Sequence, residues 1–370
     1  MKKVCHMTSS HRRYDGRIFK RQCRSLAQNG YDVTLLVSDD LPDEVLDEVK
    51  IVSTGYAPKT RVDRFIYSPK HVFFKAKQIN ADIYHFHDPE LLPVAMKLKR
   101  NGKTLIYDSH EDYPDFMFDK EWIPRYLRFL ISFAIKLYET RVVKRMDAVI
   151  GVTPRLVERL KAINSNTHMI TNYPSLEPYE SYVRSKNERA ICFTGSIDPL
   201  WNHENIIKAL EQLPEDIKLV LCGKKSTESY FEKLKTLKGF EKVEYRGLVP
   251  HDEALQIIHN SSIGLAIPNY ARDTHGNVGT LGNTKFFEYM MAGIPIVCTD
   301  FILWQEIVEK WNCGICVNPN DVTAIATAIE FLLENPDEAQ KMGANGRRAV
   351  EEMYNWGEQE KVLLNMYRSL

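Results

Sequence analysis

Asn283-Thr284-Lys285-Phe286-Phe287-Glu288-Tyr289-Met290-Met291-Ala292-Gly293-Ile294-Pro295-Ile296-Val297 is the stretch around which the rest of the chain reads as organised. Polar residues open a short helix, Gly293 stops it, and Pro295 leads into an apolar strand. Arg272, Asp273, Thr274, His275 and three glycines come just before. Such a loop delivers free backbone N–H groups to the helix start, which is how a chain builds an anion site. Lys285 in the first turn adds a mobile positive charge, and Glu288, one turn on, offers a carboxylate to hydroxyl groups on the same side. Phosphate at one end and sugar hydroxyls beside it describe a nucleotide-sugar pocket.

Working outward, 370 residues exceed what one hydrophobic core usually organises, so two domains are expected. Lysine plus arginine equals aspartate plus glutamate at 49 each, which gives no global field for nucleic acid. The apolar run near Met1 is too short for a signal peptide, and no run approaches the roughly 18 residues of a membrane span. The seven cysteines sit mostly in apolar runs and read as reduced core residues of a cytoplasmic protein.

Lys3 to Met7, a polar loop, a helix over Ile18 to Gln28 and a strand over Tyr31 to Val37 open a parallel α/β sheet. Ligands of such sheets sit at the C-terminal strand ends, so the loop from Ser9 to Arg17, with His11, Asp15, Gly16 and Arg17, should face a cleft. The glycine-rich dinucleotide fingerprint is absent, which argues against NAD. Strands at Ile83 to Phe86 and Thr104 to Tyr107 run into His87-Asp88-Pro89-Glu90 and Asp108-Ser109-His110-Glu111, which also land on that side. His85 and His87 share a strand face, but no further ligands follow at metal spacing, and the metal reading yields to hydrogen-bonded histidines. Trp122 to Arg145 is a long helix with apolar residues on two faces inside a basic rim. It is read first as packed on the sheet and second as touching anionic lipid.

A turn-rich segment near residues 173 to 188 reads as the interdomain linker. Beyond it, strands at Ala190 to Thr194, Lys218 to Cys222, Val243 to Tyr245, Ile263 to Ile267 and Ile294 to Cys298 alternate with helices. Gly195, Gly223 and Gly247 punctuate the strand ends. Cys313-Gly314-Ile315-Cys316 falls on a strand and loop rather than at a helix start, and reads as structural.

Lys285-Phe286-Phe287-Glu288-Tyr289-Met290-Met291-Ala292-Gly293-Ile294-Pro295-Ile296-Val297 resembles the donor-site signature of family 4 retaining glycosyltransferases, K-x-x-E-Y-M-A-x-G-x-P-V. His87-Asp88-Pro89-Glu90-Leu91-Leu92-Pro93, Tyr107-Asp108-Ser109-His110-Glu111 and the Tyr354-Asn355-Trp356 ending resemble bacterial members that build capsule, lipopolysaccharide or exopolysaccharide. The resemblance implies an α/β GT-B fold of two Rossmann-like domains with parallel sheets facing a deep interdomain cleft. The acceptor domain would be 1–175, the donor domain 186–352, and 353–370 a helix crossing back to the first.

By the same resemblance, His110, Lys285 and Glu288 are the catalytic set. Asn283, Thr284, Lys285 and Arg272 would take the diphosphate, Glu288 the ribose, and Gly195, Ser196, Gly223, Gly247 and Leu248 the rest of the donor. His11, Asp15, Gly16, Arg17, His87 and Asp88 would line the acceptor side. The expected reaction moves a sugar from a UDP- or GDP-sugar to a glycan or polyprenyl-linked acceptor, by same-face attack. There is no Asp-x-Asp, so neither metal nor other cofactor is expected. Partners would be that donor, that acceptor and the inner membrane face through 122–145, with no nucleic acid.

The chain departs from the family in two places. Thr280 stands where a first glutamate is common, and Ser196, then Pro199-Leu200-Trp201-Asn202-His203, stand where relatives carry an arginine and a lysine for the diphosphate. Lys285 would carry more of that charge, with Arg272 or Arg17 helping. Two other readings fit the architecture: a nucleotide-sugar epimerase and an inactive nucleotide-sugar-binding module.

Overall fold

A computed structural model describes residues 1–119, 123–176, 189–272 and 274–370. The chain divides into two compact units, Met1–Asn172 with Gly357–Leu370, and Tyr173–Trp356. Most of the expected linker, and Trp122 and Asp273, lie outside the described residues.

The first unit holds β1 (Lys3–Thr8), β2 (Asp32–Val37), β3 (Glu44–Leu46), β4 (Val49–Ser53), β5 (Ile83–Phe86), β6 (Thr104–Ser109), β7 (Ala148–Gly151) and β8 (Thr167–Met169). Their order is β3-β4-β2-β1-β5-β6-β7-β8, parallel except where β3 pairs antiparallel with β4. That edge hairpin was not expected from the sequence. Its turn uses two consecutive left-handed residues, Asp47 and Glu48, and lacks the Asn-Gly pair that usually announces such a turn. The chain passes from β1 to β2 on one side and returns to β5 on the other, so the strand order reverses between β1 and β5. Loops leaving those two strands flank the crevice where open sheets bind ligands. The last helix, Trp356–Ser369, buries Leu363, Met366 and Tyr367, and its residues from Gly357 onward belong to this unit.

The second unit holds β9 (Ala190–Thr194), β10 (Lys218–Cys222), β11 (Val243–Gly247), β12 (Ile263–Ala266), β13 (Ile296–Thr299) and β14 (Gly314–Val317). Their order is β11-β10-β9-β12-β13-β14, all parallel, with the reversal between β9 and β12. β9 and β10 lie where the sequence places them, and β13 starts two residues later than expected because Pro295 cannot donate to the ladder. Among the described residues β14 makes six strands rather than five, and it comes from the Cys313 to Cys316 stretch. Gly314 lies so close to Ile296 that a Cβ would sit 2.2 Å from its carbonyl oxygen. All seven cysteines are free thiols, six of them buried. Among the described residues no helix is long and apolar enough to cross a membrane.

The long helix spans Arg125–Val143, and its apolar residues do not pack as first expected. Only Ser132, Glu139, Val142 and Val143 are buried, while Tyr126 is 79% exposed, Phe129 67% and Phe133 53%.

Candidate functional site

In the second unit, the helix Thr284–Met291 follows the loop that leaves β12 at the strand reversal. Its apolar face fixes it. Phe286, Phe287, Tyr289 and Met290 are fully buried, and Tyr289 packs so tightly on β12 that a Cβ at Gly264 would lie 2.3 Å from its ring. The Tyr289 hydroxyl also accepts from the Thr194 N–H at 3.2 Å, tying the helix to the end of β9. The Asn283 side chain makes no capping hydrogen bond to the helix.

Gly195 and Gly223, with φ of +142° and +146°, turn the chain out of β9 and β10. The Gly195 N–H donates to Cys222 O at 2.9 Å and the Gly223 N–H to Gly247 O at 2.8 Å. A Cβ on Gly223 would fall 1.6 Å from Gly195 O, so only glycine closes this approach. Gly247 turns likewise, Leu248 beyond it is 75% exposed, and Ser196 and Arg272 are exposed. Asn283, Thr284 and Glu288 are half-buried on the helix.

Lys285 differs from its expectation. It is not a mobile charge: it is 8% exposed, with its ammonium 3.0 Å from the centre of the Trp201 ring and 4.5 Å from that of Phe193. The Gly195 turn lies directly beneath, since a Cβ there would be 2.6 Å from Nζ. Among the described residues no carboxylate reaches salt-bridge distance of it. Burial pushes its pKa down to about 7, against the smaller opposing pull of Glu288 and Asp198. An amine held dry over a turn of backbone is placed to pair with an entering phosphate once it is drawn from its cover.

In the first unit, Asp108 at the end of β6 is the hub, a role its place in a polar cluster did not reveal. It is wholly buried, and Arg17 grips both of its oxygens at 2.9 and 2.8 Å while Gln22 donates to Oδ2 at 2.8 Å. Burial would raise its pKa, but Arg17, His110 and His87 hold it well below the usual carboxylate range. His87 Nδ1 and His110 Nε2 approach Oδ2 at 3.3 and 3.5 Å.

Behind His87 a chain of contacts runs inward. His6 Nδ1 lies 3.0 Å from His87 Nε2, and Tyr367 Oη lies 3.3 Å from His6 Nε2 and 2.8 Å from His85 Nδ1. His6 and His85 are register partners on β1 and β5, which puts both on one sheet face. Burial lowers the pKa of His6, His85 and His87, the last to about 3, so all three rings are neutral near pH 7.

Two groups here bring possible metal-ligand atoms within 4.8 Å: His6, His85 and His87, and His87, Asp108 and His110. The geometry fits hydrogen bonding better. The His87 ring lies at 21° to His85 and 19° to His6, and lone pairs of stacked rings run in parallel planes instead of converging. Asp108 already serves Arg17 and Gln22.

Several expected acceptor-side residues are therefore not presented to ligand. Arg17 is buried between Asp108 and Asn172, whose Oδ1 accepts from it at 2.8 Å, so it cannot serve the diphosphate. His87 and Asp88 are buried. Asp88 accepts from Thr8 Oγ1 at 2.8 Å, the Ser9 N–H at 2.7 Å and Ser10 Oγ, and so ties down the loop after β1. His11, Asp15, Gly16 and His110 remain at least partly open. His11 lies between Asp15 and Asp88, at 3.4 and 3.5 Å. Burial opposes its charge, but Asp15 and Asp88 outweigh that and raise its pKa. His6, Asp108, Trp201 and Tyr367 were missed as site residues. The one legible signal was His85 and His87, two residues apart at the end of a single strand.

Two family models match the chain, one described as Glycosyltransferase Family 4 over residues 16–173 and one as Glycosyl transferases group 1 over 179–349. An uncharacterized glycosyltransferase of Methanocaldococcus jannaschii is 27% identical over 192 residues, which is 50% of this chain and 46% of that protein. The O-antigen chain mannosyltransferase C of Escherichia coli is 23% identical over 310 residues, 80% of this chain and 77% of that one. The alignments span just under half the length of the first of these relatives. Among solved structures, sucrose-phosphate synthase from Thermosynechococcus elongatus superposes with a TM-score of 0.76 at 17% identity, over 100% of this chain and 99% of that one. HepE of Anabaena, solved with UDP and glucose, gives 0.73 at 13% identity over both whole chains. At these identities the likeness shows the fold, GT-B, with two Rossmann-like parallel sheets.

Proposed function

Because the chain belongs to family 4 of the glycosyltransferases, we propose that it moves a hexosyl group from a UDP- or GDP-sugar to a lipid-linked glycan in surface polysaccharide synthesis. Transfer proceeds with retention at the anomeric carbon and without a metal. The observation that carries this reading is the buried Lys285 amine set against the Gly195 turn, at the strand reversal of the second unit.

The roles fall on each unit separately. In the second, Lys285 and the N-terminal N–H groups of the helix from Thr284 onward receive the diphosphate, and Glu288 takes the ribose hydroxyls. In the first, Asp108 orients His110, which is 15% exposed, toward a sugar hydroxyl. Same-face attack breaks the bond from anomeric carbon to diphosphate oxygen as the acceptor oxygen bonds to that carbon, and the acceptor proton passes to the departing diphosphate. The rival route through a covalent intermediate needs an available carboxylate. Asp108 and Asp88 are both buried and engaged, and the partly open Asp15 is held by His11 and by the Arg17 and Ile18 N–H groups, which favours the first route.

The exposed aromatics of Arg125–Val143, set among Arg125, Arg128, Lys136 and Arg141, suit a peripheral contact with an anionic inner membrane face that supplies the acceptor. A thermal-shift screen with UDP, GDP and their sugars tests the donor assignment. Selective stabilisation by one nucleotide and its sugars is expected, and no shift with any of them contradicts it.

A further inference from the structure

Trp201 lies on the Lys285 ammonium, and the donor reading gives it no part. The indole is held there. Asp198 caps the short turn Pro199–Trp201 through Leu200 N–H at 2.8 Å, and the Trp201 N–H donates to Asp198 O at 3.1 Å. Asn202 follows in the left-handed conformation, with its side chain donating to Pro319 O at 2.6 Å. Asn269 braces the turn from the loop after β12, its N–H donating to Leu200 O at 2.7 Å and its Nδ2 to Pro199 O at 2.8 Å. The Trp201 ring then stands edge-on to Phe193 with centroids 5.5 Å apart, and the two rings and the Gly195 turn box the amine.

An aromatic face gives an ammonium one non-directional attraction, whereas a diphosphate offers it several charge-assisted hydrogen bonds and a full opposite charge. The ring therefore yields the amine to a phosphate but keeps water from it until then. We propose that Trp201 is a positioning residue of the donor site: its indole covers Lys285, so a nucleotide's diphosphate binds only by drawing the amine off the ring. This rests on the reading of the 283–297 stretch as the donor site. The titratable groups acting on the amine are Glu288 on its own helix, Asp198 on the Trp201 turn, and His203 on the next helix. His203 is kept neutral by burial, with a pKa of about 3, so it does not titrate above pH 6. The amine itself, at about 7, changes charge in the working range.

Calorimetric titration with UDP-glucose and GDP-mannose at pH 6.5, 7.5 and 8.5, in two buffers of different ionisation heat, tests this. The diphosphate of either ligand keeps its charge over that range. For the wild type, affinity for the ligand that binds should fall about tenfold between pH 7.5 and 8.5, with close to one proton taken up per ligand at pH 8.5. Trp201→Ala, which lets water reach the amine, should change less than threefold across the range and bind more tightly than wild type at pH 8.5. Lys285→Arg, whose guanidinium stays charged, should lose the slope as well. A slope that persists in the Arg variant, or a Trp201→Ala variant weakened equally at every pH with the wild-type slope intact, overturns the proposal. If the folded wild type binds neither ligand at any pH, the donor reading itself has failed, and this inference falls with it.

Discussion

Arg17 holds both carboxylate oxygens of Asp108, through Nε at 2.9 Å and Nη2 at 2.8 Å, in a place where Asp108 is fully and Arg17 almost fully removed from solvent. Removing one partner of such a pair strands the other charge. Arg17→Met should cost about 3–5 kcal/mol in urea unfolding at pH 7. The folded pKa of Asp108 lies below its unfolded value, so its contribution is present above about pH 4 and is lost as pH falls through the folded value. The gap between variant and wild type should therefore narrow in acid. A variant as stable as wild type at pH 7 contradicts the pairing.

Tyr367 closes the buried histidine chain from the last helix, with its hydroxyl 2.8 Å from His85 Nδ1 and 3.3 Å from His6 Nε2. Tyr367→Phe keeps the ring but leaves those nitrogens without this partner. The expected loss is about 1–3 kcal/mol in urea unfolding. No loss would mean that the hydroxyl does not bond there.

The 283–297 stretch was legible because three signals agreed: a polar start, an apolar helical face and the Gly293-Ile294-Pro295 stop. Strands of buried parallel sheets were legible as apolar runs, as at β9 and β10. What escaped was long-range. Arg17 stood in a polar loop with nothing local to say that its partner is Asp108, 91 residues on. Tyr367 and His6 lie 361 residues apart. Lys285 looked exposed in its helix turn because Trp201 covers it from another strand's loop. Periodicity reports which face of an element is buried, not which residue buries it.

The amine of Lys285 has its own stability signature. Its pKa falls from about 10.4 unfolded to about 7 folded, so between these values the unfolded chain binds the extra proton and stability rises with pH. Between pH 7 and 9 the stability of wild type relative to Lys285→Met should rise by up to about 1.4 kcal/mol per pH unit in urea unfolding. A constant difference across that range contradicts a depressed amine.

On the helix Arg125–Val143, replacing Phe129 and Phe133 by serine should leave the melting temperature nearly unchanged, since both rings are mostly exposed. Co-sedimentation with vesicles containing anionic lipid should fall several-fold. Equal sedimentation of variant and wild type contradicts membrane contact through this face.

The central claim is that Lys285 serves the departing diphosphate during sugar transfer. The direct measurement is sugar transfer from the nucleotide-sugar donor to a lipid-linked acceptor, comparing wild type with Lys285→Ala and checking by circular dichroism that the variant is folded. Removal of a charge stabiliser of this kind predicts a rate at least about a hundredfold lower with the fold intact. Wild-type turnover by the folded variant would contradict the account.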